Sequence, residues 1–225
     1  MRRAVVFRDR EEAGRLLASK LSSYRDDPTG LVLALPRGGV AVGYELTLAL
    51  HLGLDVFITK KLSAPDNPEY AIGALSETGA LYLNPEAVEA FHLSHADLEG
   101  FIGTARAEIS RRQQRYRNGL PLPEITGRTV ILVDDGLATG ATFFATLEAI
   151  SELSPRRLVA ALPVAPQDAV APVRSRVDEL IVLATPEPFL AVGHHYQSFA
   201  QVSDAQVLEY LKSAKQSRAT DVSSR

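Results

Sequence analysis

Val130-Ile131-Leu132-Val133-Asp134-Asp135-Gly136-Leu137-Ala138-Thr139-Gly140-Ala141-Thr142 is the stretch on which the fold turns. Its four leading apolar residues are too few for a helix and read as a strand buried on both faces, the signature of a parallel sheet. Asp134 and Asp135 then stand at the carboxyl end of that strand, where ligands sit in open α/β sheets. The small-residue turn 136–142 opens the next helix. Its N–H groups and the partial positive charge of the helix terminus favour an anion, and the hydroxyls of Thr139 and Thr142 add donors. The carboxylates call for hydroxyl groups or a metal cation. A ribose carrying a 5'-phosphate satisfies both halves, diol to the acids and phosphate to the turn. A Walker-type nucleotide loop would compete with this reading, but Gly-x-x-x-x-Gly-Lys-Ser/Thr occurs nowhere in the chain.

Outward from this stretch, strand and helix signals alternate, which predicts an α/β fold with a parallel sheet. Asp9 is placed to cap a first helix, with Glu12 positioned for a capping box and Ala13, Leu16, Leu17 and Leu21 on its apolar face. Strands are expected at 31–35, 55–59, 158–162 and 179–183. Helices are expected at 40–52, 141–153, 167–176 and 204–211. Residues 71–75 and 80–83 read as a hairpin around Glu77-Thr78-Gly79. Pro85 opens a short helix, and Ser94 caps a longer one along which Leu98, Phe101, Ile102, Ala105, Ile109 and Tyr116 keep helical spacing. The polar composition after Lys212 predicts a disordered tail over 213–225.

A second strand, loop and helix runs through Leu31-Val32-Leu33-Ala34-Leu35-Pro36-Arg37-Gly38-Gly39-Val40, with one cation and two glycines where backbone could approach an anion. Lys60 and Lys61 follow the next strand at its ligand-facing end, and alternation lets only one of them point that way. Arg106, Arg111, Arg112, Arg115 and Arg117 cluster late in the long helix, where a helix C-terminus favours cations in any case. Phe189 and Tyr196 lie in a Pro-rich, aromatic segment whose rings could stack on a flat base. The adjacent His194 and His195 point in different directions with no acidic partner at ligand spacing, so the chain offers no direct metal cage.

The first stretch resembles the phosphoribosyl diphosphate (PRPP) motif of the type I phosphoribosyltransferases: four apolar residues, two acids, three variable positions, then Thr-Gly-x-Thr. Every defining position matches. The resemblance implies an open, mostly parallel twisted sheet with helices on both faces, in one domain over 1–212. It also implies an inserted flap at 62–120 and a small C-terminal hood at 185–200. Activity follows by the same resemblance: transfer of a 5-phosphoribosyl group from Mg-bound PRPP to a nitrogen acceptor, a nucleobase by default, with release of pyrophosphate. Asp134, Asp135 and Arg37 are then the catalytic candidates, and Asp134, Asp135, Gly136, Leu137, Ala138, Thr139, Gly140, Ala141 and Thr142 bind PRPP. Pro36, Arg37, Gly38, Gly39, Lys60 and Lys61 bind pyrophosphate, with a cis peptide bond entering Arg37. Residues 163–166 would lie against the ribose, and Phe189 and Tyr196 belong to a hood over the acceptor, whose selectivity should depend on Tyr196 or a neighbouring aromatic. Mg2+ would be held by substrate oxygens and, through water, by Asp134 and Asp135. One position departs from the pattern: the hypoxanthine-guanine enzymes carry a carboxylate just before Thr-Gly-x-Thr, and this chain has Ala138. Without that general base, 6-oxopurines should be poor acceptors, and the acceptor stays open.

Composition sets the remaining bounds. The 225 residues can bury a substantial core without splitting, and the absence of cysteine removes disulfides, thiolate metal sites and a thiol nucleophile. The first residues turn charged before a secretory apolar core forms, so a cytoplasmic protein without a membrane partner is expected. A formal net charge of -3 gives no global attraction to nucleic acid, so a nucleic-acid partner is not expected. The expected partners are PRPP and a small-molecule acceptor; a homo-oligomer is compatible with the sequence but not specified by it. A PRPP- or nucleotide-binding regulator on the same fold is the alternative to an enzyme.

Overall fold

Asp9 caps the first helix through its carboxylate, which accepts the Glu12 N–H at 2.7 Å; the Glu12 carboxylate reaches back to the Arg8 N–H at 2.5 Å. A computed structural model describes residues 7–65, 67–138 and 140–223. In chain order its elements are α1 (Arg10–Lys20), β1 (Gly30–Ala34), α2 (Gly38–Leu50), β2 (Gly53–Val56), β3 (Thr59–Ala64), β4 (Asn67–Ser76), β5 (Leu81–Leu83), α3 (Pro85–Ala90), α4 (His95–Arg117), β6 (Thr129–Val133), α5 (Ala141–Glu152), β7 (Arg157–Val164), α6 (Gln167–Arg174), β8 (Glu179–Ala184) and α7 (Asp204–Ser223). The chain forms two units. One comprises Met1–Val56, Pro123–Ala138 and Leu153–Arg225; the other comprises Phe57–Leu122 and Thr139–Glu152. The second unit therefore starts at Phe57 and takes in α5.

The first unit is built on a five-stranded sheet in the order β2-β1-β6-β7-β8, with every neighbouring pair parallel. All residues of β1 and β6 are buried, so both faces of the sheet are covered, as a run such as Val130 to Val133 requires. Each fully buried Val, Leu or Ile contributes about 1.5–3 kcal/mol. From β1 the chain winds through α2 to β2 at one edge; from β6 it winds through β7 to β8 at the other. The winding direction thus reverses between β1 and β6, which makes their carboxyl ends the topological switch point. The last helix corrects the expectation of a disordered tail: α7 runs to Ser223 rather than ending near Leu211. It packs on α2 and β2, burying Leu211 and Ala214 at 5% and 3% exposure, and the Tyr44 and Tyr210 rings meet at 5.1 Å. Lys, Ala and Gln in this tail are good helix formers once such a face exists.

The second unit carries a three-stranded antiparallel sheet, β3-β4-β5, on which α3, α4 and α5 pack. The hairpin around Glu77 to Gly79 forms between β4 and β5 as the sequence predicts. Ser94 caps α4 in a full capping box with Asp97, a feature worth about 1 kcal/mol. The expected strand 55–59 is divided: β2 ends at Val56, and Thr59 starts β3 in this second sheet. Among the described residues, no helix is long and apolar enough to cross a membrane.

Candidate active site

Ala34 and Val133, the last residues of β1 and β6, lie opposite each other in register, so two loops leave neighbouring strands at one level. The Leu35 N–H donates to the Val133 carbonyl at 3.0 Å and holds the first of these loops to the end of β6. The Pro36–Arg37 peptide bond is cis, as the resemblance implies. Gly38 and Gly39 then begin α2 under tight constraint. A Cβ on Gly38 would overlap Asp135 Oδ2, and one on Gly39 would fall 2.9 Å from Asp134 Cα. What requires glycine at both positions is therefore the acidic strand end next door. That contact also brings the two sequence motifs of this unit together.

The acidic pair is largely withdrawn from water. Burial pushes the Asp134 carboxyl well above the usual carboxylate range, and the neighbouring Asp135 charge adds to the rise. The Asp135 N–H, donating to Asp134 Oδ1 at 2.8 Å, works against it. Burial also raises Asp135, against the opposing pull of Arg10, whose Nε donates to Asp135 Oδ2 at 2.7 Å. Sequence reasoning missed Arg10, which is 125 residues away from its partner. One signal was present: Arg10 is the first residue of α1, where the helix dipole disfavours a cation, so its charge calls for a partner elsewhere.

The turn after the acids is only partly free to receive an anion. Gly136 packs beneath Val192 and Val164, with an added Cβ meeting Val192 Cγ1 at 2.5 Å. Leu137 is buried and its N–H donates to the Val164 carbonyl at 2.9 Å, so this amide is committed within the fold rather than to a phosphate. Ala138 is exposed, and Thr139 lies outside the described residues. In the second unit Gly140 takes φ +79, where an added Cβ would meet the Phe144 ring at 2.5 Å, and its carbonyl accepts the Phe144 N–H at 2.8 Å. Ala141 begins α5, and the Thr142 carbonyl accepts the Thr146 hydroxyl at 2.8 Å.

A family profile describing the phosphoribosyl transferase domain matches residues 9–194. The chain belongs to that family. Its sequence is 40% identical over 209 residues to a Mycobacterium tuberculosis protein whose name places it among the phosphoribosyl transferases, covering 93% of this chain and 47% of that one. The chain thus spans about half the length of the curated relatives it matches. Among solved structures it is similar to the TT1426 protein from Thermus thermophilus, with 41% identity, a TM-score of 0.77, and coverage of 92% of this chain and 97% of that one. The AQ2163 protein from Aquifex aeolicus shares the fold at 14% identity and a TM-score of 0.50, over 82% of this chain and 78% of that one.

Several positions read from the sequence pattern lie elsewhere in the structure. Lys60 and Lys61 do not close β2; both lie half-buried in β3, opposite Leu75 and Ala74 of β4. In the arginine cluster, Arg111 and Arg112 both donate to Glu108, and the Arg111 bond chiefly holds that carboxyl down at about 2. Arg117 is buried in an ion pair with Glu77, beside the hairpin turn. In the hood, Tyr196 does not present its ring for stacking on a base. It is buried, tilted against Phe7 at 5.4 Å and stacked on Phe199 at 5.0 Å, and its hydroxyl donates to the Asp135 carbonyl at 2.6 Å. Burial pushes this phenol above its ordinary range, and Asp135 adds to the rise. Phe189 is half-buried against the cluster of Phe7, Ala13, Val164 and Tyr196, with its ring 5.3 Å from that of His195. Main-chain bonds from Phe7, Gln197 and Ser198 tie the hood to the residues preceding α1. The loop expected along the ribose is likewise drawn into the fold, since Val164 and Ala165 are buried.

Proposed function

We propose that the chain is a phosphoribosyltransferase that moves a 5-phosphoribosyl group from Mg-bound PRPP to a nitrogen acceptor, with a nucleobase as the leading class, and releases pyrophosphate. The observation that carries this reading is the contact of Gly38 and Gly39 with Asp135 and Asp134 at the switch point of the sheet. The start of α2, suited to an anion, and a carboxylate suited to a diol are side by side there, which matches the diphosphate and the adjoining ribose hydroxyls of PRPP. The reaction breaks the bond from the anomeric carbon to the diphosphate oxygen and forms one to the acceptor nitrogen, whose proton passes to solvent or to a base. Positive charge builds on the ribose and negative charge on the leaving diphosphate, so positioning and electrostatics carry most of the acceleration. Asp134 meets the diol and the developing positive charge. Arg37 and the N–H groups of Gly38 and Gly39 take the diphosphate, and residues 139–142 take the 5'-phosphate. A divalent cation suits this donor set, because two adjacent carboxylates withdrawn from water are relieved by it. When bound to the substrate oxygens, and through water to the aspartates, Mg2+ would neutralise charge on the leaving diphosphate.

Calorimetry with Mg-PRPP tests the reading. Wild-type protein should bind it, and Asp135→Asn should bind at least about tenfold more weakly with its fold intact. Equal affinity in the two proteins would overturn the assignment of the acidic pair. Binding without pyrophosphate release on any acceptor would move the chain to the regulator reading.

A further inference from the structure

Arg10 is an unusual cation. It is only 8% exposed, it opens a helix whose dipole opposes its charge, and its guanidinium meets both the candidate site and the hood. Nε donates to Asp135 Oδ2 at 2.7 Å, one terminal nitrogen donates to the Ala200 carbonyl at 2.8 Å, and the guanidinium carbon lies 3.8 Å from the centre of the Phe199 ring. A Cβ on Gly38 would fall 3.1 Å from Arg10 Nε, so the pyrophosphate loop lies directly on the ion pair. Asp135 is also fixed through its main chain, whose carbonyl accepts the Tyr196 hydroxyl at 2.6 Å. Thus Asp135 is held at both side chain and backbone, while Asp134 is bonded through Oδ1 to the N–H of Asp135.

On the phosphoribosyltransferase reading above, we propose that Arg10 is a positioning residue for the acidic pair: it pins the Asp135 carboxylate against the pyrophosphate loop and leaves Asp134 as the carboxylate that meets the ribose diol. The division of labour has an electrostatic cause. Two adjacent carboxylates out of water repel each other, and a buried charge persists only when paired and hydrogen-bonded. Arg10 reduces the formal charge of the pair from two negatives to one without touching the substrate. Its planar fork also fixes the direction of Asp135, which a lysine at the same place would do less well. Because the same guanidinium bonds to Ala200 and rests on Phe199, the hood is tied to the orientation of the acids.

The test compares two ligands on wild type, Arg10→Gln and Arg10→Lys by calorimetry: Mg-PRPP, which carries the ribose, and inorganic pyrophosphate with Mg2+, which does not. Arg10→Gln should weaken PRPP at least about tenfold, the scale on which outer partners of metal ligands act, while pyrophosphate changes less than about threefold. Arg10→Lys should fall between wild type and Arg10→Gln for PRPP and match wild type for pyrophosphate. It decides the matter alone if Arg10→Gln fails to fold. Unchanged PRPP affinity in the folded variants, or equal losses for both ligands, would overturn the role of Arg10. A wild type that binds pyrophosphate but not PRPP would overturn the transferase reading, and this inference with it.

Discussion

Asp134 stands where a charge is costly, and its cost has a measurable sign. Burial and the neighbouring Asp135 raise its folded-state pKa above the unfolded value. The folded protein therefore holds this proton more tightly than the unfolded chain. Stability is gained as pH falls through the raised folded pKa, and above that pKa the ionised carboxylate destabilises the ligand-free protein. Asp134→Asn removes the charge while keeping an oxygen that can accept the Asp135 N–H. Its melting temperature should exceed that of wild type at about pH 8, with the difference closing toward about pH 4. Mg-PRPP binding should be lost at the same time. A variant no more stable than wild type at the higher pH would show that Asp134 is not a strained charge. Instability retained for a ligand is the expected trade at a functional site.

At the scale of elements, the sequence was most informative where local chemistry decides the outcome. Asp9 and Ser94 announce their helices because a side-chain oxygen must satisfy free N–H groups, and Val130 to Val133 announce a central strand because both faces need covering. Gly38 and Gly39 were legible as a close approach, and the group they approach is the acidic strand end. What could not be read was pairing at long range. Nothing in the spacing says that Lys60 and Lys61 belong to a separate antiparallel sheet, that Tyr196 reaches the Asp135 carbonyl, or that Arg117 is a buried partner of Glu77. The last of these makes a prediction about the second unit. Arg117 and Glu77 are 3% and 1% exposed at their side chains, and Glu77 also accepts the Ile58 N–H at 2.7 Å and the Gln113 amide at 3.1 Å. Arg117→Met leaves that carboxylate buried without its main counter-charge and should cost about 3–5 kcal/mol in urea unfolding, whereas Arg111→Met on the exposed face should cost at most about 1 kcal/mol. Equal costs would mean that the cluster acts as one surface patch. A larger effect at Arg117 removes it from the cations available to a leaving diphosphate.

For the whole molecule, the proposed activity needs a means of selecting its acceptor beyond the acids and glycines that would hold PRPP. The hood, which sequence reasoning credited with base selection through Tyr196, spends that ring on the Phe7 and Phe199 contacts and its hydroxyl on Asp135. Tyr196→Phe should therefore act on the acids, not on base preference. On the proposed activity, acceptor choice would then fall to the hood main chain and to the residue before Thr139. That residue is Ala138, exposed and without an ionisable group, so a 6-oxopurine would find no carboxylate there to take its ring proton. Such general-base help is worth about 10²–10⁴ in rate. Hypoxanthine and guanine should accordingly show kcat/KM values at least about 100-fold below the best acceptor in a panel that adds adenine, uracil and orotate. Efficient turnover of guanine would refute the argument from Ala138. Inactivity with all five, alongside intact PRPP binding, would shift the acceptor away from the nucleobases, and grafting a carboxylate by Ala138→Asp would then be expected to create no purine activity, because the rest of the base pocket would be lacking.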